Sequence, residues 1–250
     1  MSPPHPLALT GERTVPGVTR ENYWFRRHEA VYRWVTDREL AGPILEAGSG
    51  EGYGANLLAE SLGQPVVALD YDADSVAYAA RQYPGVALVR ANLAQLPVSQ
   101  GRWGAVVSLQ VIEHLWDVSQ FLADATAALR SGGTLIVSTP NRVTFSPGVA
   151  RGEKPTNPFH VEEFDAQQLH SMLIDAGLVD VTVLGLSHGE RLTREEQVYG
   201  SLVDAQVRAI LDDQWTDELV ARVAAVTCDD FIIDSVNPTC CDLIATGVRP

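Results

Sequence analysis

Pro43-Ile44-Leu45-Glu46-Ala47-Gly48-Ser49-Gly50-Glu51-Gly52-Tyr53-Gly54 is the stretch whose reading decides the fold. The apolar run Ile44 to Ala47 ends in alternating glycines and then becomes a helical pattern in Ala55, Leu57, Leu58 and Ala59. That order predicts a parallel strand turning tightly into a helix. Such turns lie at the sheet edge where α/β proteins bind ligands. Gly48 and Gly50 carry no Cβ, so the backbone can bend sharply and a ligand can lie against it. An ordinary glycine-rich strand-to-helix turn reads the same way, so the glycines alone do not fix a ligand.

A dinucleotide fingerprint wants glycine at the first, third and sixth positions. Counted from Gly48 the sixth residue is Tyr53, which speaks against NAD. The pattern Glu46-x-Gly48-x-Gly50-x-Gly52 resembles instead the first motif of class I S-adenosylmethionine-dependent methyltransferases. The resemblance implies a Rossmann-like α/β fold: a mostly parallel seven-stranded sheet, helices on both faces, and a helical insertion before the last strand. It also implies S-adenosylmethionine as cofactor, its methionine end surrounded by Glu46, Gly48, Gly50 and Gly52.

Working outward, Val66 to Asp72 is a β-branched apolar run ending in acid, and Asp70 lies twenty residues beyond Gly50. An acid at a strand end in that position accepts hydrogen bonds from ribose hydroxyls in many nucleoside sites, NAD sites included. Its structural alternative is to cap the helix expected from Ala73. The next strand, Val86 to Arg90, leads into Ala91-Asn92-Leu93. In the resembling family this position holds the adenine, usually through Asp; the Asn92 oxygen can still accept from the exocyclic amine, with the Leu93 amide beside it. Tyr71 and Gln110 complete the cofactor set on this side. On the other side stands a probable helix, Glu21 to Arg38, crowded with aromatics. Tyr23 and Arg27 are candidates to close over the cofactor, Arg27 as a planar donor for the methionine carboxylate; packing on the sheet is the plainer role for most of that helix.

A fourth strand, Gly104 to Leu109, delivers Gln110-Val111-Ile112-Glu113-His114. Strand ends point into the ligand crevice. Methylating a hydroxyl requires removal of its proton, and a neutral imidazole can take it near neutral pH. His114 and, from the loop after strand five, His160 are the catalytic candidates, with Glu113, Asp117 or Glu162 able to orient the ring. A purely structural His114 and a loop-anchoring His160 are the alternatives. Gln110, Glu113, His114 and His160 also resemble the Glu-x-x-Glu-His plus distant His set of metal-dependent 2′-O-methyltransferases of small RNA, which implies a Mg²⁺ site. Gln110 replaces the first acid of that set and is a weak ligand for a hard cation, so the bare histidine base is preferred.

The 250 residues, 46% apolar and 20% charged, suit a single methyltransferase domain over 1–250. The net charge of −14 disfavours nucleic acid as a partner. Three cysteines without metal spacing or a disulfide framework suit a reducing compartment, and the first residues lack a signal-peptide core, so a cytoplasmic protein is expected, with no membrane partner. Residues 1–20 are expected to be flexible. Strand six is expected at Val179 to Leu184 and the last strand at Leu243 to Val248. Between them, residues 188–238 hold two amphipathic candidates, Arg194 to Leu211 and Thr216 to Val226, serving as a substrate cap or a homodimer contact.

Four stretches, Leu9 to Thr14, Glu21 to His28, Ser138 to Arg142 and Asn157 to His160, resemble methyltransferases of mycobacterial methylglucose lipopolysaccharide biosynthesis. That implies a carbohydrate substrate and 6-O-methylation of a glucose unit in an intracellular polysaccharide, with Trp24, Trp116 or Tyr199 as stacking surfaces. A quinone- or polyketide-type methyltransferase and a non-catalytic S-adenosylmethionine-binding protein are the competing readings.

Overall fold

In the computed structural model, Thr14 and residues 16–250 are described. The Leu9 to Arg13 part of the resemblance and most of the 1–20 segment lie outside the described residues. The elements run α1 (Asn22–Thr36), β1 (Ile44–Ala47), α2 (Tyr53–Leu62), β2 (Val66–Asp70), α3 (Ala73–Gln82), β3 (Ala87–Arg90), β4 (Trp103–Leu109), α4 (Val118–Ala128) and β5 (Leu129–Pro140). They continue with α5 (Arg142–Phe145), α6 (Ala166–Asp175), β6 (Val179–His188), α7 (Glu190–Tyr199), α8 (Leu202–Leu211), α9 (Asp217–Ala224), β7 (Phe231–Ser235) and β8 (Asp242–Val248).

The strands form one sheet in the order β3-β2-β1-β4-β5-β8-β6-β7. β1 to β5 are parallel, and β8 enters antiparallel between β5 and β6. Alternation along the strands separates two cores. Ile44, Ala68 and Val107 face the side covered by α1 and α2, whereas Leu45, Leu69 and Val106 face α4 and α6. The Rossmann-like methyltransferase fold is therefore as expected, and the sheet has eight strands among the described residues where seven were expected.

The extra strand, β7, pairs antiparallel with the far end of β6, which runs on to His188 rather than stopping at Leu184. The region 188–238 is thus not wholly helical. The helix expected over Arg194 to Leu211 is broken at Gly200, whose φ of 80° ends α7, and Ser201 caps α8 through the Asp204 amide. This region buries Leu192, Leu202, Leu219 and Val223 in the same core as α1. The Asn22 side chain closes the contact by donating to the carbonyls of Val223 and Val226 at the end of α9, at 2.9 and 2.8 Å.

Candidate active site

β1 turns into α2 over the glycine loop. The amides of Gly48 and Ser49 donate to Leu69 O at 2.8 and 3.0 Å, and Gly50 N donates to Asp70 Oδ2 at 2.7 Å, stapling the loop to the end of β2. Gly48 has φ 89°, and a Cβ there would lie 2.3 Å from Val111 Cγ2. Gly50, at φ 52°, has nothing within 4 Å of the Cβ position, so the space over it is open. Glu46 is fully buried beneath this loop. Tyr32 of α1 donates to its Oε1 at 2.6 Å, while Oε2 has no partner. Burial pushes its carboxyl up to about 8; the Tyr32 bond pulls down and the charge of Asp70 adds to the rise. A buried acid with one unused oxygen beside an open glycine cradle fits the ammonium end of an amino-acid ligand.

Asp70 has a loop-tying function: besides Gly50 it accepts from Asp72 N at 2.9 Å, and the cap of α3 is Asp72, not Asp70. Its oxygens retain lone pairs for ribose hydroxyls. Tyr71 is exposed, with the Arg90 guanidinium 5.8 Å from its ring centre. Asn92 is exposed and its Oδ1 accepts from Ala94 N at 3.0 Å, while the Leu93 side chain turns into the core and leaves only its backbone to face a ligand.

Three expected cofactor contacts are engaged elsewhere. Arg27 is buried and its guanidinium grips Asp242 with two prongs, Nε to Oδ2 at 2.6 Å and Nη2 to Oδ1, so a protein carboxylate occupies the fork expected to hold a ligand. Tyr23 is fully buried, its hydroxyl 2.6 Å from His188 Nε2. Gln110 adopts φ 55° and its Nε2 donates to Ser138 Oγ and Asp242 Oδ1, both at 3.2 Å. Those bonds hold a backbone conformation that non-glycine residues rarely adopt. Asp242, the hub of two of these contacts, had no local sequence signal, because its partners are remote in the chain.

Beyond Gln110 a single 3₁₀ turn, Ile112–His114, sends Glu113 inward and leaves His114 half-buried. The loop after β5 folds back over that turn. Asn141 caps α5 through Val143 N, Arg142 binds Asp165 and the carbonyl of Val149, and Val161 N donates to Glu113 O at 2.7 Å. Fully buried Phe164 anchors the loop's far end, a contribution of roughly 2–3 kcal/mol. This ordering brings His160 to His114, ring centres 5.1 Å apart and planes at 74°.

His160 Nδ1 lies 2.7 Å from Glu163 Oε1, and Nε2 lies 3.0 Å from Asn157 Nδ2. An ionised Glu163 accepts the Nδ1 proton, which leaves the Nε2 lone pair toward Asn157. Sequence reasoning named Glu162, Asp117 and Glu113 as orienting acids and missed Glu163. Glu162 instead accepts from Gln168 Nε2 at 2.7 Å, and Asp117 caps α4 through Gln120 N at 2.9 Å. His114 Nδ1 sits 3.2 Å from Phe159 O, fixing that proton and leaving Nε2 as the acceptor. Glu113 is 1% exposed and its Oε2 has no partner. Burial pushes its carboxyl up to about 8, against the downward pull of its backbone bond, His160 and Thr139. One donor atom from each of Glu113, His114 and His160 lies within 4.8 Å of the other two. The pair of imidazoles can take a proton from a hydroxyl, and the trio can hold a cation.

A family model described as a methyltransferase domain matches residues 45–137, which run from β1 through most of β5. The "Probable S-adenosylmethionine-dependent methyltransferase" of Mycobacterium tuberculosis (strain H37Rv) is 49% identical over 99% of this chain and 91% of its own. A similarly described protein of Mycolicibacterium smegmatis is 46% identical over 99% of this chain and 97% of its own. Among solved structures, a Thermotoga maritima "SAM-dependent methyltransferase, possible histamine N-methyltransferase" superposes with a TM-score of 0.63 at 14% identity, over 92% of this chain and 94% of that one. No helix among the described residues is long and apolar enough to cross a membrane. The relatives match the chain almost end to end, and the sheet carries the Rossmann-like methyltransferase fold: the chain belongs to the class I S-adenosylmethionine-dependent methyltransferases.

Proposed function

We propose that the chain methylates a hydroxyl of a sugar, the 6-hydroxyl of a glucose unit in an intracellular polymethylated polysaccharide. The observation that carries the hydroxyl chemistry is the His160–Glu163 pair, a ring held by a carboxylate over the end of β4. A neutral amine attacks through its own lone pair and needs no such device in the transfer itself, whereas an alcohol must give up its proton as it attacks. The acceptor class rests on the resemblance of the Ser138 to Arg142 and Asn157 to His160 stretches, and on an acidic surface that suits a neutral sugar better than a polyanion.

S-adenosylmethionine, when bound, supplies an electrophilic methyl group on a sulfonium. Glu46 and the open space over Gly50 would hold the methionine end, and the remaining lone pairs of Asp70 would accept from the ribose. The 3₁₀ turn and the loop after β5 set the acceptor oxygen in line, which alone can supply several kcal/mol of the barrier. His160 Nε2, freed from Asn157, takes the hydroxyl proton, and Glu163 stabilises the imidazolium that forms.

Incubating the full-length protein with methyl-labelled S-adenosylmethionine and glucose oligosaccharides tests this. Transfer of label to a 6-O-methyl ether, located by NMR, is expected. His160→Ala should lower turnover by about 10²–10⁴-fold and Glu163→Gln by a smaller factor, with cofactor affinity nearly unchanged in both. Label appearing on nitrogen or carbon acceptors, and on no sugar, would sink the reading.

A further inference from the structure

We infer that the outward face of α8 is the contact by which two copies of this chain associate, the two helices lying antiparallel. Nothing in this contact depends on which acceptor is methylated. Along Leu202–Leu211 the residues that pack inward recur every three or four positions: Leu202, Gln206 and Ala209 are buried, Leu202 and Ala209 in the core shared with Leu219 and Val223 of α9. The opposite side is apolar too. Val207, Ile210 and Leu211 are exposed, Leu211 at 78%, and half-buried Val203 lies one turn before Val207. A helix that is apolar all round is ordinarily covered all round. Val198 and Tyr199 at the end of α7 are exposed as well, so large apolar side chains concentrate on the surface between 198 and 211, the mark of an interaction face.

The charges on α8 select the occupant. Asp204 and Arg208, one turn apart beside Val207, are both exposed, and neither has an ion-pair partner among the described residues. Two antiparallel copies of α8 about a twofold axis near Gln206 and Val207 set each Asp204 against the other copy's Arg208, so a single surface supplies both halves of the match. Leu211 then lies over the other copy's Val203. Asp212, which ends each helix, comes beside the first turn of the other, where the positive end of the helix dipole favours an acid. A parallel pair would instead oppose Asp204 to Asp204 and Arg208 to Arg208.

An anionic membrane or a polyanion does not suit this face, because Asp204, Asp212 and Asp213 outnumber Arg208. Two chains of net charge −14 repel each other at a distance. At physiological salt that repulsion is screened beyond about 8 Å, which leaves the matched pairs to act at contact.

Sedimentation velocity of the full-length protein across about 1–200 µM tests this. A reversible monomer–dimer equilibrium is expected, weak because one helix pair buries less than the roughly 1,200 Å² of a standard interface. Leu211→Glu, a change at an exposed side chain, should weaken association at least about tenfold. Asp204→Arg gives α8 two cations at the contact and Arg208→Asp gives it two anions, so each variant alone should fail to pair. Mixed in equal amounts, the two should form a heterodimer close to wild-type strength, since every cation again faces an anion. S-adenosylmethionine affinity measured on the same samples shows that the variants are folded. A monomer at the highest concentration, a dimer that all three substitutions leave unchanged, or single variants that do not combine on mixing would overturn the inference. A monomer that floats with phosphatidylcholine vesicles would overturn it too, and would give the face to a lipid surface.

Discussion

Arg27 and Asp242, 215 positions apart in the chain, meet as a buried two-pronged ion pair that ties α1 to the first residue of β8. Removing one partner of such a pair strands the other charge without water, at a cost of about 3–5 kcal/mol. Asp242→Asn is therefore expected to lower Tm by roughly 10 °C. Because Asp242 also accepts from Gln110, the same variant should loosen the end of β4. Thermal melts of Asp242→Asn, Arg27→Met and the double variant check this: the double variant should be more stable than Asp242→Asn alone, and strict additivity would refute the coupling.

Glu46 holds its proton up to about pH 8 in the free protein, because burial outweighs the Tyr32 bond. Pairing with the ammonium of S-adenosylmethionine favours the ionised form, so binding must expel the proton. Affinity is expected to rise as pH increases from about 6 to about 8, and the apparent binding enthalpy at neutral pH should vary with the ionisation enthalpy of the buffer. Glu46→Gln should abolish that buffer dependence and weaken the cofactor by about 10–100-fold. A wild-type titration indifferent to buffer would show that Glu46 does not meet the ammonium.

Gly48 and Gly50 separate folding from binding. A methyl on Gly48 would overlap Val111 and sit on a backbone at φ 89°, so Gly48→Ala should destabilise the fold by about 1–3 kcal/mol. Gly50→Ala meets no protein atom and pays only for φ 52°, about 1 kcal/mol, yet its methyl occupies the space over the cradle. Urea midpoints paired with cofactor titrations should show Gly50→Ala nearly as stable as the parent and at least about tenfold weaker for S-adenosylmethionine.

His188 joins α7 and α1, with Nδ1 at 2.9 Å from Glu196 Oε2 and Nε2 at 2.6 Å from the Tyr23 hydroxyl. Burial alone would lower its pKa, but the Cys241 thiol and the Glu196 carboxylate hold it up to about 9. A histidine raised on folding contributes its stabilisation fully below about pH 6.5 and loses it as pH climbs through about 9. Unfolding free energy should accordingly fall across that window by of order 2 kcal/mol, and His188→Gln should flatten the slope.

What could be read from sequence was local. The Ile44 to Gly54 unit declares itself because strand, turn and helix each leave a periodic or glycine signal within a few residues, and Asp70 follows at a fixed spacing. β7 escaped because Phe231-Ile232-Ile233 is a short apolar run between acids, and only its pairing to an extended β6 makes it a strand. Arg27 was expected to face a ligand because its partner lies at the other end of the chain. Glu163 was passed over for its neighbour Glu162, since the loop's backbone path, not its composition, decides which of two adjacent acids turns toward His160.

β8 is the strand among β1, β2, β3, β4, β5 and β8 that runs against the others, so it begins at the edge where the parallel strands end. Its first residue, Asp242, thereby lies buried behind the end of β4, where it accepts from Gln110, instead of at a distant edge. Shortening the chain from its C-terminus would consequently blunt catalysis at the same step as it weakens the sheet. A separate peptide spanning β8 should restore both together, which makes this strand a natural place to split the enzyme into two complementing fragments.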